Sequence, residues 1–154
     1  MEIAGKLVRV PPASDTPMAL ADTSQLAKWG DAALAGYQIV PNVLLRAQKH
    51  LEIDCVDVVI LLNLSLHWWG PNNLPYPSPV ILADRINISK RTIERRLQDL
   101  EKKGFIKRLP PRAPQEGKPK VRSFEMKGFV EKLEIAAHMG LTQRQYAKER
   151  KVKN

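Results

Sequence analysis

A mainly α-helical fold closed by a small β-hairpin is what this sequence predicts. Three observations predict it. Helical apolar spacing, punctuated by capping residues, recurs between Pro41 and Leu100. Two short strand-like stretches, residues 105–109 and 121–126, then bracket a proline-rich linker. The basic residues concentrate on this same second half of the chain.

Length and composition bound the problem. The 154 residues suit one domain with arms, and a 44% hydrophobic content supports a real core. The single cysteine, Cys55, excludes an intrachain disulfide framework and a multi-cysteine metal cluster. The longest apolar run, residues 58–62, is far short of the roughly 18 residues of a membrane span. No apolar segment of a secretion signal follows Lys6 and Arg9. A soluble, intracellular and basic protein is expected.

Charge is more informative by position than by total. The net charge is +9, and residues 85–122 alone hold 13 Lys or Arg against 4 acids, again +9. The tail from Leu141 has 5 bases and 1 acid, so the remaining residues sum to −4. Such a segment on a mildly acidic body fits a polyanion. A membrane surface would call for large apolar residues opposite the bases, without caps or wing. Nucleic acid is therefore the expected partner.

The elements follow in order. Residues 1–36 read as an arm with a short helix, in which Asp22, Thr23 and Ser24 supply the cap and Leu26, Trp29 and Ala33 share a face. Gly36 stops it. Pro41 and Asn42 open a helix with Val43, Leu44, Ala47 and Leu51 as its stripe. Asp54 is placed to cap a third helix, with Asp57 in its first turn, running through the apolar residues to Trp68. Being apolar nearly all round, this is the expected central helix, with Cys55 as a small buried neighbour. Residues 70–79 read as an ordered turn and proline loop, packed down by Trp68, Trp69 and Tyr76. The other reading of those rings, as a platform for single-stranded bases, is disfavoured because no base lies between Lys49 and Arg85.

Ser78 and Pro79 start the next helix, since serine accepts from orphan amides and proline loses no hydrogen bond at the first position. Leu82, Ala83 and Ile86 face inward, Asn87 makes the turn, and Ile88 plugs it. Ser89 caps a second helix, residues 89–103, with Ile93, Leu97 and Leu100 inward. Small Ala83, a tight turn at Asn87 and isoleucines at the corner are what a helix-turn-helix requires. At 100 degrees per residue, Arg91, Arg95, Gln98 and Lys102 fall on the opposite face. Lys90 and Thr92 flank them. A helix start carrying Ser89, Lys90, Arg91, Thr92 and Arg95 suits a major groove, because arginine pairs bidentately with guanine and threonine bonds bases or phosphate. Arg96 lies nearer the inner edge and is either a phosphate contact or a partner for an internal acid. Glu94 either reads cytosine or, as the favoured reading, pairs within the helix with Gln98 or a basic neighbour.

Gly104 ends that helix. Two strands joined by residues 110–120, with Arg112, Lys118, Lys120 and then Arg122, form a basic hairpin beside it. Helix-turn-helix plus hairpin is a winged helix-turn-helix, spanning residues 37–126, whose wing gives phosphate or minor-groove contacts. Residues 89–97 (SKRTIERRL) and 100–108 (LEKKGFIKR) resemble the DNA-reading helix and first wing strand of bacterial winged-helix regulators. Residues 37–69 are similar to helix-turn-helix proteins of plasmids, phages and integrative elements, replication-initiator modules included. The chain departs from these in its long proline-rich wing and in Asn87, where many relatives have glycine.

Residues 127–140 form a further helix with Phe129, Leu133, Ala136 and Gly140 in line. It either packs on the domain or, like the N-terminal arm, supports a homodimer. Residues 141–154 read as a basic tail, a frayed helix or an arm touching phosphates. His50, His67 and His138 have no metal-ligand spacing, no Walker loop is present, and Ser78 and Ser89 are explained as caps. No enzyme, cofactor or metal centre is expected. The expected function is sequence-specific binding of double-stranded DNA, as a transcriptional regulator of a mobile element. A replication or partition accessory protein binding origin repeats is the alternative, and a winged-helix protein-interaction module the third.

Overall fold

The computed structural model describes residues 23–70, 72–111 and 122–152, the last twelve of these as backbone only. The chain divides into two units, residues 1–39 and 40–154. In the first, helix α1 (Thr23–Trp29) runs into a 3-10 turn, Gly30–Ala35. Gly30 takes a φ of +58° at the junction, and Gly36 closes the turn by donating to the Ala33 carbonyl. Ala33 is buried, whereas Trp29 and Leu34 are exposed.

The second unit opens with two single turns, α2 (Val43–Arg46) and α3 (Gln48–Leu51), in place of the continuous helix expected there. The chain breaks at Ala47, whose ψ of 13° leaves the helical region, and Leu44 is its fully buried anchor. Glu52 then adopts a φ of 56°, and its amide and that of Ile53 satisfy the last carbonyls of α3.

Helix α4 (Cys55–Ser65) is the central helix, as its composition predicts: Ile60, Leu61 and Leu64 are wholly buried. Asp54 accepts from the Asp57 amide at 3.0 Å while Asp57 accepts from the Asp54 amide at 3.3 Å, a reciprocal cap. The helix ends at Ser65, a turn earlier than Trp68, because Leu66 is already the exposed cap residue. Cys55 is exposed, not buried, since it emerges from the capped end on the outer side. Trp69 and Tyr76 are also exposed, so the proline loop is held by buried Pro75 and Pro77 and by half-buried Trp68 instead.

Helices α5 (Pro79–Ile86) and α6 (Lys90–Lys102) pack on α4 and on each other. Leu82, Ile93, Leu97 and Leu100 fill the space between them. Two strands follow, β1 (Lys107–Arg108) and β2 (Phe124–Glu125), antiparallel with Lys107 opposite Glu125. They are shorter than the apolar stretches suggested, because Phe105, Ile106 and Met126 leave the ladder to enter the core. Pro75 supplies a carbonyl to the Phe124 amide at 2.8 Å, adding a third strand-like segment.

Helix α7 (Lys127–Val152) continues well past Gly140, where the sequence pattern placed its end. Phe129, Leu133 and Ala136 face the domain's own core, and α7 packs on α2 and α3. Its start lies against the end of α6: a methyl group built on Gly128 would fall 2.0 Å from the Gly104 carbonyl oxygen. No described helix is long and apolar enough to cross a membrane.

Candidate nucleic-acid interface

The turn between α5 and α6 sets the site. Ser78 Oγ accepts from the Ile81 amide at 3.3 Å and Pro79 occupies the first position, so α5 starts as its sequence requires. Asn87 stands in the left-handed region at φ 58°, and the Ile88 amide reaches back to the Ala83 carbonyl at 3.2 Å. Ser89 then accepts from the Thr92 amide at 3.1 Å. The Thr92 hydroxyl lies 2.9 Å from Ser89 Oγ, so both side chains are engaged in the cap.

From that cap α6 presents two opposed faces. Ile93, Leu97 and Leu100 are buried. Arg91, Arg95, Gln98 and Lys102 are exposed, and at helical spacing they fall within about 60 degrees of one another. None of the four has a hydrogen bond or ion pair among the described residues. The first turn carries no acid to quench the positive end of the helix dipole. Lys90 meets Glu94 at 3.5 Å across one turn, the intrahelical pairing expected for Glu94. Both side chains are more than half exposed, so that pair is weak and open to exchange.

Arg96 behaves differently. Its Nη1 lies 2.6 Å from Asp54 and 3.4 Å from Asp57, at the capped end of α4. Of the two roles the sequence left open, the internal ion pair is the one the structure contains. It locks α6 onto α4 and so sets the outward angle of the exposed stripe.

The hairpin is tied to α6 by a second arginine. Glu101 accepts from the Arg108 amide at 2.9 Å, and from Arg108 Nε and Nη2 at 2.7 Å each. The amide, the guanidinium and the nearby charge of Arg122 together hold the Glu101 carboxyl below its usual range against the opposing effect of burial. Arg122 itself is exposed beside the strands. Arg112, Lys118 and Lys120 lie outside the described residues.

Sequence reasoning passed over one pair. Arg85, in the last turn of α5, donates from Nη1 to His67 Nε2 at 2.8 Å. The two are 18 residues apart, so no local pattern could have linked them. Among the described residues no group of His, Cys, Asp or Glu could hold a metal ion.

Residues 76–107 match a family described as winged helix-turn-helix DNA-binding. That segment begins in the proline loop, contains both helices and the turn, and ends in β1. The fold is a winged helix-turn-helix. The winged helix is also similar to the crystal structure of the N-terminal domain of the DnaD protein from Geobacillus kaustophilus HTA426, at 25% identity and a TM-score of 0.53. That likeness covers 80% of this chain and 96% of the other, so it reaches well beyond the motif into the flanking helices. No curated protein matches the sequence.

Proposed function

We propose that this chain is a sequence-specific double-stranded DNA-binding protein that lays α6 in the major groove. One observation carries the reading: Arg91, Arg95, Gln98 and Lys102 form an exposed stripe, unpaired among the described residues, directly opposite the residues that anchor α6 in the core. A stripe held so rigidly at its back presents donors in a fixed register, as base readout requires. Lys90 and Thr92 stand at the helix start, where the backbone approaches phosphate. Ser89 contributes through the cap it forms. Arg122, with Arg112, Lys118 and Lys120 in the wing, neutralises phosphates. Arg96 is assigned to the fold.

Selection of bound duplexes from a random pool tests this. Enrichment of a defined sequence is the expected result, and an unenriched pool would overturn specificity. With about six phosphates contacted, affinity falls roughly a thousandfold between 50 and 200 mM salt.

The biological role has two readings. One is a transcriptional regulator of a mobile element, for which an inverted repeat with half-sites about one helical turn apart is expected if the chain dimerises. The other is an accessory protein of replication or partition that binds repeated origin sequences. The likeness to the DnaD N-terminal domain, extending over most of both chains, favours the second. Direct repeats in the footprint support it, and a single palindromic operator supports the first.

A further inference from the structure

We propose that Arg85 and His67 form a phosphodiester-binding pair that flanks the groove-facing helix. The inference rests on the DNA-binding reading and adds two residues to it. Among the described residues, Arg96 and Arg108 are both bonded to carboxylates. Arg85 is held by an imidazole instead. An arginine stays protonated, so His67 must be neutral, with its proton on Nδ1 and Nε2 accepting. The guanidinium is thereby positioned, and no carboxylate among the described residues is paired with it. Arg85 is exposed, and only three residues of chain, folded tightly at Asn87, separate it from Ser89 at the start of α6. A cation fixed at that place fits a backbone phosphate beside the groove.

The pair also couples binding to protons. Burial and the charge of Arg85 keep the imidazole below its ordinary value in the free protein. Among the described residues no other charged group bears on it: Asp84 is exposed next to Arg85 on α5, and residues 68–78 carry no charge. Asp54, Asp57 and the Arg96 of α6 lie at the opposite end of α4. A phosphate oxygen taking Arg85's hydrogen bond frees Nε2, adds negative charge, and lets the imidazole take a proton from solvent and become a second donor. Binding then strengthens as pH falls through the range between the bound and free values.

The test is a duplex titration with the full chain, on the selected sequence, at several salt concentrations and at pH 6 and 8. Wild type is expected to bind on the order of fivefold tighter at the lower pH. Arg85→Ala should flatten the salt slope by about one, and Arg85→Lys should restore it. His67→Gln, which still accepts from Arg85, should remove the pH dependence. An unchanged slope in Arg85→Ala, or a pH dependence that survives in His67→Gln, overturns the pair. Arg91→Ala run alongside separates the failures: if it loses affinity while Arg85→Ala does not, only this inference falls. If neither variant matters, the DNA-binding reading falls with it.

Discussion

Arg96 Nη1 in α6 lies 2.6 Å from the Oδ2 of Asp54, the residue that caps α4. One carboxylate thus ends one helix and holds the next. Burial raises the pKa of Asp54, but the Asp57 amide and Arg96 outweigh it, so the net direction is down from 3.8. The folded state therefore favours the charged form. The stability this contributes is present above the ordinary carboxylate value and is lost as pH falls through the lowered one. Asp54→Ala should cost about 1 kcal/mol from the lost cap, with a further small loss from the half-exposed pair. Urea midpoints measured from pH 2 to 7 should show the gap to wild type closing below about pH 4.

Arg95→Ala should weaken binding to the preferred duplex by about 1–3 kcal/mol and relax one base position. Arg91→Ala should act the same way at a neighbouring position. Sequence logos from the two variants check this. An unchanged logo would remove that arginine from the reading set.

Asn87 occupies the left-handed region at φ 58°. Asn87→Gly should leave stability within about 0.5 kcal/mol of wild type, whereas Asn87→Val should lose about 1–2 kcal/mol through clash of the branched side chain. Thermal melts of the two variants provide the comparison.

Gly128→Ala should be severe. The added methyl would meet the Gly104 carbonyl oxygen at 2.0 Å, and both partners are backbone. Relief requires α7 to move off α6, which should cost about 2 kcal/mol or more. Gly140→Ala on the same helix, where nothing lies within 4 Å of the new methyl, is the matched control and should be neutral or stabilising.

The helix-turn-helix was legible because its signals are local. Ser78, Asn87 and Ser89 act within three or four residues of themselves, and the Ile93, Leu97 and Leu100 stripe is a periodicity. The outward face of α6 followed from the same period. Interactions across the chain were not legible. Arg96 with Asp54 joins positions 42 apart, and Arg85 with His67 joins positions 18 apart, so neither leaves a pattern in a window. Cys55 misled because apolar character was taken as a guide to burial at a helix end, where the cap and not the core dictates direction. Trp69 and Tyr76 misled for a related reason: the prolines beside them were sufficient to hold the loop. The strands were overestimated because Phe105 and Met126 are apolar for the core's sake and not for the ladder's.

The Leu109 amide donates to the Ser123 carbonyl at 2.9 Å, just beyond the paired residues of β1 and β2. That bond is a clasp between the segment that leaves β1 and the segment that enters β2. Lengthening such a closed segment is cheap in entropy, about 0.6 kcal/mol for each doubling. Transplanting a different stretch between Leu109 and Ser123 should accordingly leave melting behaviour nearly intact, which makes the domain a chassis for retargeting by loop exchange.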